Sequence, residues 1–144
     1  MRVDGSIMIS APVETVFDGW ADLERAAEHQ APTKERRKLT DGPVGAGTRY
    51  AAVDRWPGRD VAFEMEITEY DRPSHLAAEW FEPMSGSWSA DFVEASSGTT
   101  KMDFVATIEP GGFMALLAPL MRPWARRQLA SGLVAFKDWV EAEA

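Results

Sequence analysis

Apolar and polar positions alternate with period two through the middle of the chain, a pattern that reads as strand. In residues 60–71, Val61, Phe63, Met65 and Ile67 share one face, while Glu64, Glu66 and Thr68 share the other. The same parity groups Leu76, Ala78 and Trp80, then Trp88, Ala90 and Phe92, then Met102, Phe104, Ala106 and Ile108. Strands are predicted at 34–40, 47–55, 60–71, 74–82, 86–95 and 99–109, with an earlier one at 3–10. Asp41-Gly42-Pro43, Trp56-Pro57-Gly58, Asp71-Arg72-Pro73 and Ser96-Ser97-Gly98 separate them with residues that turns require. Connections this short imply an antiparallel meander with one bulky apolar face and one charged face.

Two segments change period. Val13, Val16, Phe17 and Trp20 fall on one helical face, with Ser10 placed to cap the helix, Pro12 in its first turn and Glu14 complementing its dipole. A second short helix is expected from Asp22, its cap, to Glu28, and Pro32 bars a long continuation. Residues 113–142 read as a long helix with two apolar stripes. Phe113, Leu116, Leu117, Leu120 and Trp124 form the first, and Leu129, Leu133, Phe136 and Val140 the second. Pro119 and Pro123 each remove a hydrogen bond and crowd a carbonyl, so a bend or break is expected near 119–123. The apolar sheet face must be covered, and this helix can cover it. The expected fold is α+β: a curved antiparallel sheet of seven strands, two short helices and a long C-terminal helix, in one domain over 1–144.

With 144 residues, such a chain buries a sizeable core without staples, and it has no cysteine to supply any. That excludes disulfides, thiolate metal clusters and a cysteine nucleophile. Met1-Arg2-Val3-Asp4 shows no apolar leader, and the longest apolar run, 113–121, is too short to span a bilayer. The plainest expectation is a soluble cytoplasmic protein. A formal charge of −8 disfavours nucleic acid. The basic clusters Lys34, Arg36, Arg37, Lys38 and Arg122, Arg126, Arg127 read as solvated faces, with a weak membrane-surface or anionic-ligand contact as the sharper reading.

The order of elements resembles the helix-grip fold of the START/Bet v 1-like (SRPBCC) superfamily. Three stretches strengthen the likeness to its bacterial polyketide cyclase/dehydrase-like branch: Ile9 to Phe17, Val44-Gly45-Ala46-Gly47-Thr48-Arg49, and Ile67 to Pro73. They look like that branch's opening strand–helix, Gly-rich turn and strand-end turn. The resemblance implies an apolar cavity between sheet and long helix. Related families bind lipids, sterols, quinones or aromatic polyketides, and some members catalyse cyclisation or dehydration. It implies no universal catalytic motif.

The residues themselves offer little acid–base chemistry. His29 and His75 are the only two histidines and lie on different elements, so a metal site is not expected. His75 reads as an exposed turn residue; His29 falls near the expected cavity mouth. Gly45-Ala46-Gly47 lacks the Lys-Ser/Thr of a phosphate loop and reads as a turn. Glu64 and Glu66 read as outward, and Glu69 as inward at a strand end. Six tryptophans say more, because Trp20, Trp80, Trp88 and Trp124 all have inward parity. The expected wall is Trp20, Tyr50, Phe63, Met65, Trp80, Trp88, Phe104 and Trp124, around a hydrophobic or aromatic molecule held without covalent bond, cofactor or metal. Phe113 and Leu117 form the expected gate, hinged at Gly111 and Gly112. Two rival readings stand beside this one. One is a cyclase or dehydratase with Tyr50 or His29 as proton donor. The other is an interaction module with a filled core and a charged sheet face.

Overall fold

Period-two alternation builds one seven-stranded antiparallel sheet in the computed structural model, which describes residues 1–56, 58–81, 85–109 and 113–143. Strand β1 (Arg2–Ile9) leads to helix α1 (Val13–Ala21) and a 3-10 helix, Leu23–Glu28. Six strands follow: β2 (Thr33–Lys38), β3 (Arg49–Trp56), β4 (Arg59–Asp71), β5 (His75–Trp80), β6 (Ser85–Ser96) and β7 (Thr99–Glu109). Helix α2 (Phe113–Glu143) closes the chain. The strand order is β1-β7-β6-β5-β4-β3-β2, so the meander from β2 to β7 closes against β1. This is the helix-grip α+β arrangement, a curved sheet gripping a long C-terminal helix.

The inner face carries the parity groups read from the sequence. Ile67, Leu76, Ala78, Ala90 and Met102 are fully buried, and Phe92 nearly so. Parity fails at one place. A register shift between Ile67 and Glu69 inserts an extra residue opposite β5, as a β-bulge does. Beyond it Tyr70, not Glu69, turns to the core and meets Phe17 edge-on at 5.3 Å. Glu69 is exposed, which corrects its expected inward parity.

Helix α1 starts at Val13 after Pro12, with no side-chain cap. Ser10, the expected cap, instead donates its backbone N–H to Glu141 Oε2 of α2 at 2.7 Å. Arg72, in the β4–β5 turn, ties α1 down with two hydrogen bonds to the Asp18 carboxylate, 2.7 and 2.8 Å long. Helix α2 packs on β1 and α1. A Cβ on Gly5 would stand 3.1 Å from Leu133 Cδ1, so the missing side chain in β1 permits that approach.

The two halves of α2 differ. Leu133, Phe136 and Val140 are buried at 3%, 0% and 2% exposure. Leu116, Leu120 and Trp124, from the first expected stripe, are 76%, 78% and 51% exposed. The stripe is real but faces solvent. The helix also runs through Pro119 and Pro123 without breaking. Both prolines are exposed, as are Ala115 and Pro119, whose carbonyls lose their partners. Water can satisfy those carbonyls on the outer side of a helix.

Candidate ligand site

Aromatic rings meet where α1, the sheet and α2 converge. The Trp20 ring centroid lies 5.5 Å from Phe104, 6.0 Å from Trp88 and 4.9 Å from Phe136, each edge-on. Trp88 and Phe104 stack across β6 and β7 at 5.8 Å. His29, at the end of the 3-10 helix, joins the cluster, 4.7 Å from Trp139 and 5.1 Å from Phe136. Its Nδ1 lies 2.8 Å from Gln30 Nε2, which also donates to the Gly132 carbonyl at 2.8 Å. The Trp20 indole Nε1 is buried and has no acceptor among the described residues.

The remaining inner-face residues lie toward β2. Tyr50 is 1% and Met65 4% exposed, whereas Phe63 and Trp80 are half-buried. Register pairs Arg36 with Ala52 and Ala52 with Phe63, so all three side chains share the inner face. Asp54, opposite Val61, shares it too. Arg36 Nη1 bonds Asp54 Oδ1 at 2.7 Å, with side chains only 11% and 21% exposed. The guanidinium lies 5.3 Å from the Phe63 ring centroid. Arg36 is therefore no part of a solvated basic face, as its cluster was expected to be. Alternation along β3 puts Asp54 on the same face as Tyr50 and Ala52, but only the strand register reveals its partner.

Trp124 does not join this wall; it stands on the outer face of α2. Leu117 is half-buried, while the Phe113 side chain and the Gly111–Gly112 hinge lie outside the described residues. Two concavities lie on the outer face of the sheet, opposite the helix and the inner-face aromatics. One, of about 240 Å3, is lined by Trp80, Gly86 and Phe81 together with Glu79, Ser85, Ser87, Thr107 and Glu109. The other, of about 180 Å3, is bounded by outward side chains of β4 to β7, among them Ser87, Ser89, Val105 and Thr107. Neither has a described residue of α2 in its lining. At the helix side, rings occupy the space expected to be a cavity, because Trp20 inserts between sheet and helix.

Electrostatics separates the two histidines. Burial pushes the His29 imidazole down to about 4, so it is neutral near pH 7. His75 is not a plain exposed turn residue: its Nδ1 lies 2.7 Å from Asp91 and its Nε2 3.2 Å from Glu69. The Asp91 hydrogen bond leads in raising its pKa. Burial pushes the Tyr50 phenol up to about 12. Among the described residues, no cluster of histidines and carboxylates is arranged to hold a metal, and no helix is long and apolar enough to cross a membrane.

Solved structures share this arrangement end to end. A protein from Thermus thermophilus superposes with a TM-score of 0.85 at 21% identity, covering 100% of this chain and 99% of that one. The Zhui aromatase/cyclase from Streptomyces sp. R1128 gives 0.81 at 14% identity, covering 98% and 93%. A START superfamily protein from Mycobacterium smegmatis gives 0.82 at 14%, covering 99% of both chains. At such identities the likeness establishes the fold alone. No curated protein matches the sequence. A family model matches residues 1–141, and the chain belongs to the family described as polyketide cyclase / dehydrase and lipid transport.

Proposed function

We propose that the protein binds a hydrophobic or aromatic small molecule carrying a hydrogen-bond acceptor, on the inner face of the sheet next to Trp20. The observation that carries this reading is the buried Trp20 Nε1–H without an acceptor among the described residues. A buried donor left unpaired costs about 1–3 kcal/mol, so an acceptor brought by a ligand gains unusually much there. Phe63, Met65, Trp80, Trp88 and Phe104 face the apolar body, with Tyr50 and the Arg36–Asp54 pair as polar neighbours. Family membership supports a ligand-binding or cyclase role.

Binding is favoured over proton-transfer catalysis by the two candidate donors themselves. A general acid or base works best with a pKa near the operating pH. His29 at about 4 and Tyr50 at about 12 are both tuned away from it. Loss of turnover by about 10²–10⁴-fold in Tyr50→Phe, with binding intact, would shift the assignment to a cyclase or dehydratase.

Trp20→Phe keeps an aromatic body and deletes the N–H. Calorimetric titration with a hydroxyanthraquinone is expected to show an affinity loss of about 0.5–1.5 kcal/mol without loss of thermal stability. Unchanged affinity in the variant, or no binding by the wild type, removes the acceptor role.

Phe113 and Leu117 are assigned to the gate. Amides of 113–118 should exchange faster than those of 129–138 without ligand, and slow when it binds. Equal protection of both segments, unaltered by a bound ligand, eliminates the gate.

A further inference from the structure

Leu116, Leu120 and Trp124 recur every four residues along α2 and are 76%, 78% and 51% exposed. A helix presents residues at that spacing as one stripe. Exposed Pro119 and Pro123 lie beside it, so the outward face of this half-helix is apolar over more than two turns. An apolar face of this extent on an otherwise charged surface marks an interaction site.

Charge identifies the partner. Phe113 to Lys137 contains no acidic residue, so all 23 carboxylate side chains of this acidic chain lie elsewhere. Arg122, Arg126 and Arg127 are exposed along the same half-helix, and none forms an ion pair among the described residues. Arg127 continues the Leu116–Leu120 row, while Arg122 and Arg126 follow Pro119 and Pro123 at i+3, along the proline side of the outward face. A second copy docking through this face would bring unpaired arginines together. An anionic bilayer instead offers hydrocarbon to the leucines, an interfacial level to the tryptophan and phosphates to the guanidinium groups. The acid excess of the remaining chain favours turning this acid-free face toward such a surface.

We infer that the first half of α2 docks on an anionic lipid surface, with Leu116, Leu120 and Trp124 inserted and Arg122, Arg126 and Arg127 contacting the headgroups. The inference does not depend on the ligand proposed above, because the docking face is the outer side of the helix.

Co-sedimentation with two kinds of vesicle tests it: phosphatidylcholine alone, and phosphatidylcholine mixed with phosphatidylglycerol. The protein is expected to sediment with the mixed vesicles, far less with the neutral ones, and less as salt rises. Leu116→Ser with Leu120→Ser should weaken binding by at least about tenfold, since both buried side chains are removed from the membrane contact. Arg122→Gln, Arg126→Gln and Arg127→Gln together should do the same. All five side chains are exposed, so melting curves of both variants should match the wild type. Should the leucine variant lose stability, the arginine variant alone decides. Absence of binding to mixed vesicles, equal binding to neutral ones, or full binding by the arginine variant overturns the inference. So does a dimer in sedimentation velocity that Leu116→Ser with Leu120→Ser dissociates while no vesicle binding is found.

Discussion

Arg36→Met is expected to destabilise the fold by about 3 kcal/mol, while Arg36→Met combined with Asp54→Leu stays within about 1 kcal/mol of wild type. The two charges face the inner side of the sheet edge, 2.7 Å apart and largely removed from water. Removing the cation alone strands the Asp54 carboxylate beside Ala52 and Val61, with little solvent to compensate. It also removes the guanidinium from the Phe63 ring, a contact worth about 0.5–1 kcal/mol. Removing both charges leaves neither to be solvated, and apolar replacements of similar volume suit the neighbouring side chains. Denaturant titration of the four proteins gives the cycle. Additive losses, with the double variant worst, would mean that the pair stabilises the fold like an ordinary surface bridge. The strong coupling expected here implies something else: an ion pair that adds little to stability yet occupies an apolar wall. That is consistent with a polar contact reserved for a ligand.

Arg36 also marks where reading the sequence reached its limit. Alternation assigns a face to each residue of one strand, which is why Val61, Met65, Ile67, Leu76, Ala90, Met102 and Phe104 were legible as core. Tyr50 was legible for the same reason. A cross-strand ion pair needs the register between strands as well, and β2 itself has a register irregularity between Thr33 and Glu35. The bulge after Ile67 acts likewise: one inserted residue reverses parity, moving Glu69 outward and Tyr70 inward. Nothing in Thr68 or Glu69 announces it.

Helix α2 shows a different limit. Its periodicity identifies apolar faces but not what they meet. Leu133, Phe136 and Val140 find β1 and α1, whereas Leu116, Leu120 and Trp124 find no cover. Trp124 therefore entered the expected wall on parity that was correct for the stripe and wrong for the partner. Pro119 and Pro123 are expected to bend or break the helix because interior prolines are costly. Placed on the exposed side, they leave carbonyls that water reaches, and the helix continues. Three apolar side chains left in water and two prolines tolerated in one half-helix all lie on its solvent side, while Leu117, Met121 and Ala125 opposite them are half-buried.

Stability is expected to fall by about 2 kcal/mol as pH drops from 6.5 to 4.5, with His29 as the cause. Its imidazole is packed among Trp20, Phe136 and Trp139. Burial holds its folded pKa near 4, against 6.5 for the free side chain. Nearby Glu28 opposes that depression and Arg25 adds to it, but burial outweighs both. Between those two pKa values the unfolded chain takes up a proton that the folded chain refuses. The slope of unfolding free energy with pH is therefore positive in this window, and acid destabilises. The contribution is fully present above pH 6.5 and fully lost below about 4. His75 has the opposite sign. Asp91 and Glu69 raise its folded pKa, so its stabilisation is complete below 6.5 and disappears as pH rises through the folded value. Its slope thus lies above 6.5 and leaves the His29 window clear. Glu28 and Glu141, whose pKa values are lowered, add acid sensitivity chiefly below their unfolded range near 4.5. His29→Phe keeps a ring between Trp20, Phe136 and Trp139 but cannot take up a proton. Denaturant titrations at steps from pH 7 to 4.5 should show a falling midpoint for wild type and a nearly flat one for His29→Phe. If the variant keeps the wild-type slope between 6.5 and 4.5, the acid sensitivity belongs to the carboxylates, and His29 is not held neutral in the folded protein.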